Sequence, residues 1–261
     1  MPHTPTVVGL SDVGRTRTRN EDSLSLRPDL GVAVVADGMG GHPGGDVASR
    51  IAASTAAEVL AAELEATGSQ NQDAATRLAA AMRHSVIRAH QEIRAQGERE
   101  PKLEGMGTTI TALAVDPDAD MYVLGHVGDS RAYLFRNGKL TQLTRDDTWV
   151  QERVEAQMLT LEQARRHPFA HLLTQCLGLE ETPTPHIVHG SVEIGDAYLL
   201  CTDGLVGMIE DVELEQILGR ELDTNGRSTA GEPALKALLD AANAAGGYDN
   251  ITAVLLTIGQ R

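Results

Sequence analysis

Seven short apolar runs punctuate the chain at strand length: TVVGL, GVAVVAD, TTITALAV, MYVLGHVGD, AYLFRNGKLTQL, DAYLLCTD and NITAVLLTI. They do not alternate regularly with helical segments. That speaks against a doubly wound parallel sheet, in which each strand needs a helical crossover, and for an α+β layered arrangement of largely antiparallel strands. Asn137-Gly138, between AYLFR and KLTQL, signals a tight hairpin because both central residues of a type I′ turn take positive φ. Three Ala-rich stretches, about Asp46 to Ala66, Asp73 to Ala95 and Pro233 to Ala245, carry helical periodicity and are expected to cover sheet faces. From Arg145 to His189 the pattern changes to polar helical pieces, VQERVEAQ and TLEQARRHP, which read as an insertion over one end of the core. Gly68 to Gln72 and Thr224 to Glu232 read as polar loops, and there is no internal repeat. A length of 261 residues suits one large core, so residues 1–261 are expected to form one domain.

A formal net charge of -15 argues against nucleic acid as a partner, since backbone binding relies on clustered Lys and Arg. The two cysteines, Cys176 and Cys201, lie in apolar settings without metal-like spacing and read as buried free thiols. The N-terminal MPHTPTVVGLSDVG lacks the basic flank and apolar segment of a secretory signal, so export is not expected. No apolar stretch approaches the roughly 20 residues that span a bilayer as a helix. The expectation is a cytoplasmic protein, monomeric and without a membrane span.

Chemistry enters at the strand ends. Asp37 follows VAVVA, Asp129 follows VLGHVG, Asp203 follows AYLLCT, and Asp249 in GGYDN precedes ITAVLLTI. Strands of this kind can deliver their terminal side chains to one sheet edge. Clustered carboxylates there would raise one another's pKa unless cations sat among them, and hard divalent ions such as Mg²⁺ or Mn²⁺ prefer oxygen ligands. After Asp37 the chain places five glycines within eight residues, and Gly38 would let a main-chain carbonyl approach an ion unobstructed. In GRTRTRNEDS, Glu21 or Asp22 would face the cluster while Arg17 offers a planar fork to an oxyanion. Competing phosphate chemistries lack their residues. GHPGGD carries no P-loop lysine, neither cysteine is followed by an arginine in a phosphate-binding loop, and Met39 stands where an aspartyl-phosphate enzyme would have a second acid.

Six ordered motifs, RTRNEDS, VVADGMGGH, EGMGTTITAL, HVGDSRAYLFRNGKLTQLTRDDTWV, YLLCTDGL and GGYDNITAV, resemble the metal-dependent serine/threonine protein phosphatases of type 2C (the PPM family) in their bacterial form. The resemblance runs from about Val7 to Ile258. It implies a four-layer α-β-β-α sandwich of two largely antiparallel sheets flanked by helices, with a flap at about 145–189. By position it implies that Asp37 bridges two Mn²⁺ or Mg²⁺ ions, that the Gly38 carbonyl binds one of them, and that Asp203 and Asp249 complete the pair. It further implies that Glu21 contacts an ion directly or through water, with Asp22 behind it, and that Arg17 holds the substrate phosphate. Asp129, Asp203 and the flap acid Glu155 would form a third cation site.

Several positions depart from the family pattern. Met39 stands where animal relatives have a histidine proposed as general acid, which leaves His42 as the nearby candidate. Glu155 stands where bacterial relatives usually have Asp, and the Gly near Gln157 and the Arg near Gln175 are missing. The implied activity is hydrolysis of phosphoserine or phosphothreonine on proteins by metal-activated water, opposing a bacterial serine/threonine kinase. The alternatives are a two-metal hydrolase of small phosphoesters and a silent phosphoprotein-binding regulatory module.

Overall fold

The computed structural model describes residues 3–39, 44–66, 73–222 and 231–260. Among the described residues ten strands form two five-stranded sheets in which every pairing is antiparallel. The first has the order β1 (His3–Asp12), β10 (Ile251–Gln260), β9 (Ala197–Cys201), β6 (Arg131–Arg136), β7 (Lys139–Gln142). The second has the order β2 (Asp22–Arg27), β3 (Val32–Asp37), β4 (Ile110–Asp116), β5 (Met121–Val127), β8 (His186–Ser191). Asn137 and Gly138 join β6 to β7 with φ of 54° and 77°, the positive values expected of that hairpin.

Three apolar layers hold the sandwich together. Val35, Leu113, Leu124, Tyr198, Leu200 and Val254 interlock between the sheets. On the outer face of the second sheet lie α1 (Gly45–Glu65) and α2 (Ala74–Arg99). Ala48, Ala52 and Ala56 recur every fourth residue of α1, and their small side chains let it approach Val32, Val34 and Ile110 closely. On the outer face of the first sheet lie α6 (Asp211–Glu221) and α7 (Gly231–Ala244), which bury Leu214, Leu218, Leu235 and Leu238 against Leu199 and Leu255. Each such leucine contributes about 1.5–3 kcal/mol. The layer order is therefore helix, sheet, sheet, helix, as expected.

Short helices α3 (Trp149–Glu155) and α4 (Leu161–Arg165) make up the flap, and α5 (Asp203–Val206) follows β9. The segment expected to be flap through His189 ends sooner, because β8 begins at His186 and pairs with β5. Two strands, β2 and β8, and helix α6 were not among the expected elements. Both strands are sheet edges with half-exposed side chains, so neither shows a clean apolar pattern. The expected loop at Gly68 to Gln72 lies outside the described residues. So does most of Thr224 to Glu232, whose last two residues open α7.

Both cysteines are buried and free. Burial pushes the Cys176 thiol up to about 11 and that of Cys201 up to about 12, so neither supplies a thiolate near neutral pH. Among the described residues no helix is long and apolar enough to cross a membrane.

Candidate metal centre

Antiparallel pairing sends alternate strand ends to the same edge, and here both sheets deliver acids to it. Asp22 opens β2 directly opposite Asp37, which closes β3. Strand β5 runs parallel to β3 across the intervening β4, so Asp129, just past its end, lies on that edge too. In the other sheet the end of β9 and the start of β10 are paired neighbours, which brings Asp203 beside Asp249. Two tight contacts fix this geometry. A Cβ on Gly38 would collide with the carbonyls of Gly45 and Glu21, and one on Gly204 with the carbonyl of Asn250. Only glycine allows those approaches. The position a Gly45 Cβ would take is 3.3 Å from Glu21 Oε2, so Glu21 also reaches this edge.

The main chain of Asp37 is held on both sides. Its N–H donates to Thr109 Oγ1 at 3.0 Å, and its carbonyl accepts from Thr109 N at 2.9 Å and Thr108 Oγ1 at 2.8 Å. Its side chain is not so favoured. Loss of hydration, then the neighbouring carboxylates Asp22, Asp203, Asp129 and Asp249, push its carboxyl well above the usual range. Loss of hydration also raises Asp129, with Asp203 adding to it. Asp22 is pushed up to about 7 by lost hydration, although Thr202 Oγ1 donates to its Oδ2 at 2.8 Å. Groups of this kind stay neutral or meet cations. The oxygen-only set Glu21, Asp37, Asp203 and Asp249 fits hard divalent ions.

A pH dependence follows. An acid with a raised pKa keeps its proton in the folded protein where the unfolded chain has released it. Between about pH 4 and about pH 7 the folded state therefore holds more protons at Asp22, and its contribution to stability falls as pH rises through that window. With chelator present, melting at about pH 5 and about pH 7.5 should show wild type losing more Tm toward neutral pH than Asp22→Asn. An equal loss in both proteins would contradict this.

The loop from Val13 to Glu21 is fastened by Asn250, a residue that the motif reading passed over. Its Oδ1 accepts from Glu21 N at 2.8 Å, and its Nδ2 donates to Val13 O at 3.0 Å and Arg19 O at 2.9 Å. Asn250 N in turn donates to Asp249 Oδ1 at 2.8 Å. Arg17, carried by this loop, donates from Nη2 to Asp249 Oδ2 at 2.8 Å. Both side chains of that pair are substantially exposed, at 44% and 36%, so the contact is screened and exchangeable.

The structure changes one assignment. Glu155 does not join Asp129 and Asp203. Its carboxylate is gripped by Arg145 and by Gln151, and Arg145 holds it down to about 2. His171 comes to the cluster instead, its Nδ1 3.4 Å from Asp203 Oδ2. The turn that carries Asp129 is held by buried Asp147, whose Oδ2 accepts from Gly128 N at 3.1 Å and whose N–H donates to Gly128 O at 2.7 Å. Asp147 Oδ1 lies 2.8 Å from His186 Nε2. His42 lies outside the described residues.

Comparison with known proteins gives the family. A family profile described as Protein phosphatase 2C matches residues 14–240. The chain is 38% identical over 249 residues to the serine/threonine protein phosphatase PstP of Mycobacterium tuberculosis, covering 95% of this chain and 44% of PstP. It thus spans less than half of that relative's length. It is 34% identical to the serine/threonine phosphatase stp of Listeria monocytogenes, covering 94% of this chain and 93% of the relative. The crystal structure of the PstP catalytic domain in complex with two manganese ions is similar at a TM-score of 0.80 and 33% identity, over 99% of this chain and 100% of that one.

Proposed function

Because the chain belongs to the protein phosphatase 2C family, we propose that it is a metal-dependent phosphatase hydrolysing phosphoserine and phosphothreonine on proteins. The observation that carries this reading is the meeting of Asp22, Asp37, Asp129, Asp203 and Asp249 at one edge of both sheets, with Arg17 beside them. Glu21, Asp37, the Gly38 carbonyl, Asp203 and Asp249 would hold two Mn²⁺ or Mg²⁺ ions. The manganese pair in the similar PstP structure supports that choice. Bound there, the cations supply Lewis acidity that lowers the pKa of water and offsets phosphoryl charge.

The chain's own groups do the rest. Thr108 and Thr109 fix the main chain of Asp37, so its carboxylate is aimed before substrate arrives. Thr202 orients Asp22 behind the cluster. Arg17, exposed at the mouth, exchanges Asp249 for the substrate phosphate and sets it for in-line attack. With both thiols protonated, no cysteine serves as nucleophile. We place this one-domain chain in the cytoplasm, acting as a monomer against a serine/threonine kinase. The names of its bacterial relatives support the serine/threonine specificity alone.

The test is turnover of a phosphothreonine peptide beside sugar and nucleotide phosphates, in Mn²⁺ and in chelator. The peptide should be preferred, and chelation should stop the reaction until Mn²⁺ is restored. Preference for the small esters would favour a small-phosphoester hydrolase, and turnover by metal-free protein would end the two-cation reading. In Arg17→Ala, KM should rise roughly tenfold with little change in kcat, the low end of what a charge-assisted hydrogen bond contributes because this guanidinium is exposed. An unchanged KM would remove Arg17 from the site.

A further inference from the structure

The chain is poor in aromatic residues, with two phenylalanines and one tryptophan. Phe135 is buried in the core, whereas Trp149 and Phe169 lie on the flap, where Phe169 is 53% exposed. Leu172 nearby is 50% exposed. Its N–H donates to Phe169 O at 3.1 Å, closing a turn whose third residue is His171. His171 Nδ1 lies 3.4 Å from Asp203 Oδ2, so the two exposed apolar side chains bracket a flap residue that reaches the acids of the centre. The turn is braced from behind. Trp149 meets Phe169 edge-on with ring centroids 5.7 Å apart, and His167 stands 5.1 Å from Trp149 and 5.5 Å from Phe169. Phe169 N donates to His167 Nδ1 at 3.1 Å, and Trp149 N donates to Leu172 O at 2.8 Å. The Arg153 guanidinium lies 4.8 Å from the centroid of Trp149. A solvent-facing ring held this way gives up little freedom when something covers it.

We infer that Phe169 and Leu172 form a specificity subsite for an apolar side chain of the phosphoprotein, such as Leu, Ile or Met, close in sequence to the phosphorylated residue. The inference deepens the protein-phosphatase reading above and rests on it. Arg17 and the cations would grip a phosphate whatever protein carries it, so discrimination between substrates needs contacts beyond the phosphoryl group. An apolar shelf beside the centre supplies one. The Cα of Leu172 is one peptide step, about 3.8 Å, from that of His171. An extended substrate advances about 3.3 Å per residue, so a side chain within about three residues of the phosphorylated one falls on this turn. Covering Phe169 and Leu172 removes apolar surface from water, a contact that a polar side chain in the same place does not provide.

The test is kcat/KM in Mn²⁺ for a set of phosphothreonine peptides that differ only in carrying Leu or Ser at each of the three positions on either side of the phosphothreonine. Wild type should prefer Leu roughly tenfold at one or more of these positions, the low end of hydrophobic-pocket discrimination because the shelf is half open. Phe169→Ala and Leu172→Ala should each lose most of that preference, the Leu peptide falling toward the Ser peptide. Phe169→Leu should keep it. Ile194→Ala, which removes an exposed apolar side chain between β8 and β9 at the opposite end of the sheets, should behave like wild type. Equal turnover of the Leu and Ser peptides by wild type at every position, or a preference that survives both alanine variants, would overturn the inference. So would an equal fall for both peptides in those variants, which would make the turn a structural part of the flap. Failure of the underlying reading looks different, because wild type would then turn over none of the peptides.

Discussion

Asp37→Asn is expected to lose more than about 100-fold in turnover of a phosphothreonine peptide, beyond the range seen when only a group behind a metal ligand is removed. The amide keeps the carboxylate's shape, and the main chain of Asp37 stays held by Thr108 and Thr109, so the edge of β3 should not move. What changes is charge. Asp37 is the acid that Asp22, Asp203, Asp129 and Asp249 all act upon, so its replacement removes the negative charge most central to the cluster. Affinity for Mn²⁺ should fall with turnover. Stability of the metal-free protein near neutral pH should rise, because a desolvated acid surrounded by like charges opposes folding once ionised. Melting in chelator, metal titration and peptide turnover on one preparation check all three. Undiminished turnover would refute the metal assignment, and a lower Tm in chelator would show that the carboxylate has favourable partners in the folded protein.

The opposite movements of Tm and turnover separate a functional site from a structural one. A buried acid kept for stability would be expected to have donors around it, as Asp147 does in Gly128 N and His186. Asp37 instead has acids around it. Such an arrangement costs folding free energy unless cations bind, and binding to the folded state alone returns stability by linkage.

The strand-end acids were legible because they depend only on local pattern. An apolar run followed by Asp places that carboxyl at a sheet edge, and antiparallel pairing leaves few ways to arrange the edges. Asp37, Asp203 and Asp249 could therefore be named before any coordinates. Glu155 shows where such reasoning stops. Its place along the flap suggested a ligand, but Arg145 ten positions earlier captures it, an outcome set by how α3 folds back on its entry segment. His171 carried no pattern at all, since only the path of the flap brings it to Asp203. Strand β2 escaped for a related reason: at a half-exposed edge, Asp22 to Arg27 needs no continuous apolar run.

Asn250 was passed over although it follows Asp249 directly, because an amide's role depends on which main-chain groups it faces. Asn250→Ala should be the most destabilising single change at the centre. It leaves Glu21 N, Val13 O and Arg19 O, all in part-buried hydrogen bonds, without their partner, and such bonds contribute about 0.5–1.5 kcal/mol each. Loosening is expected in the loop from Val13 to Glu21, which carries both Arg17 and Glu21. KM should rise as in Arg17→Ala, and Mn²⁺ affinity should fall as well, a combination that losing Arg17 alone does not produce. Asn250→Asp sharpens the test. It keeps an oxygen for Glu21 N but turns a second oxygen toward two carbonyls, so it should also fail to hold the loop while retaining near-native volume. Hydrogen exchange at Glu21, with Tm and KM for both variants, reads the three effects together. If Asn250→Asp melts and turns over like wild type, the clasp is not what positions Arg17, and the placing of that loop must come from Asp249 and Gly247 instead.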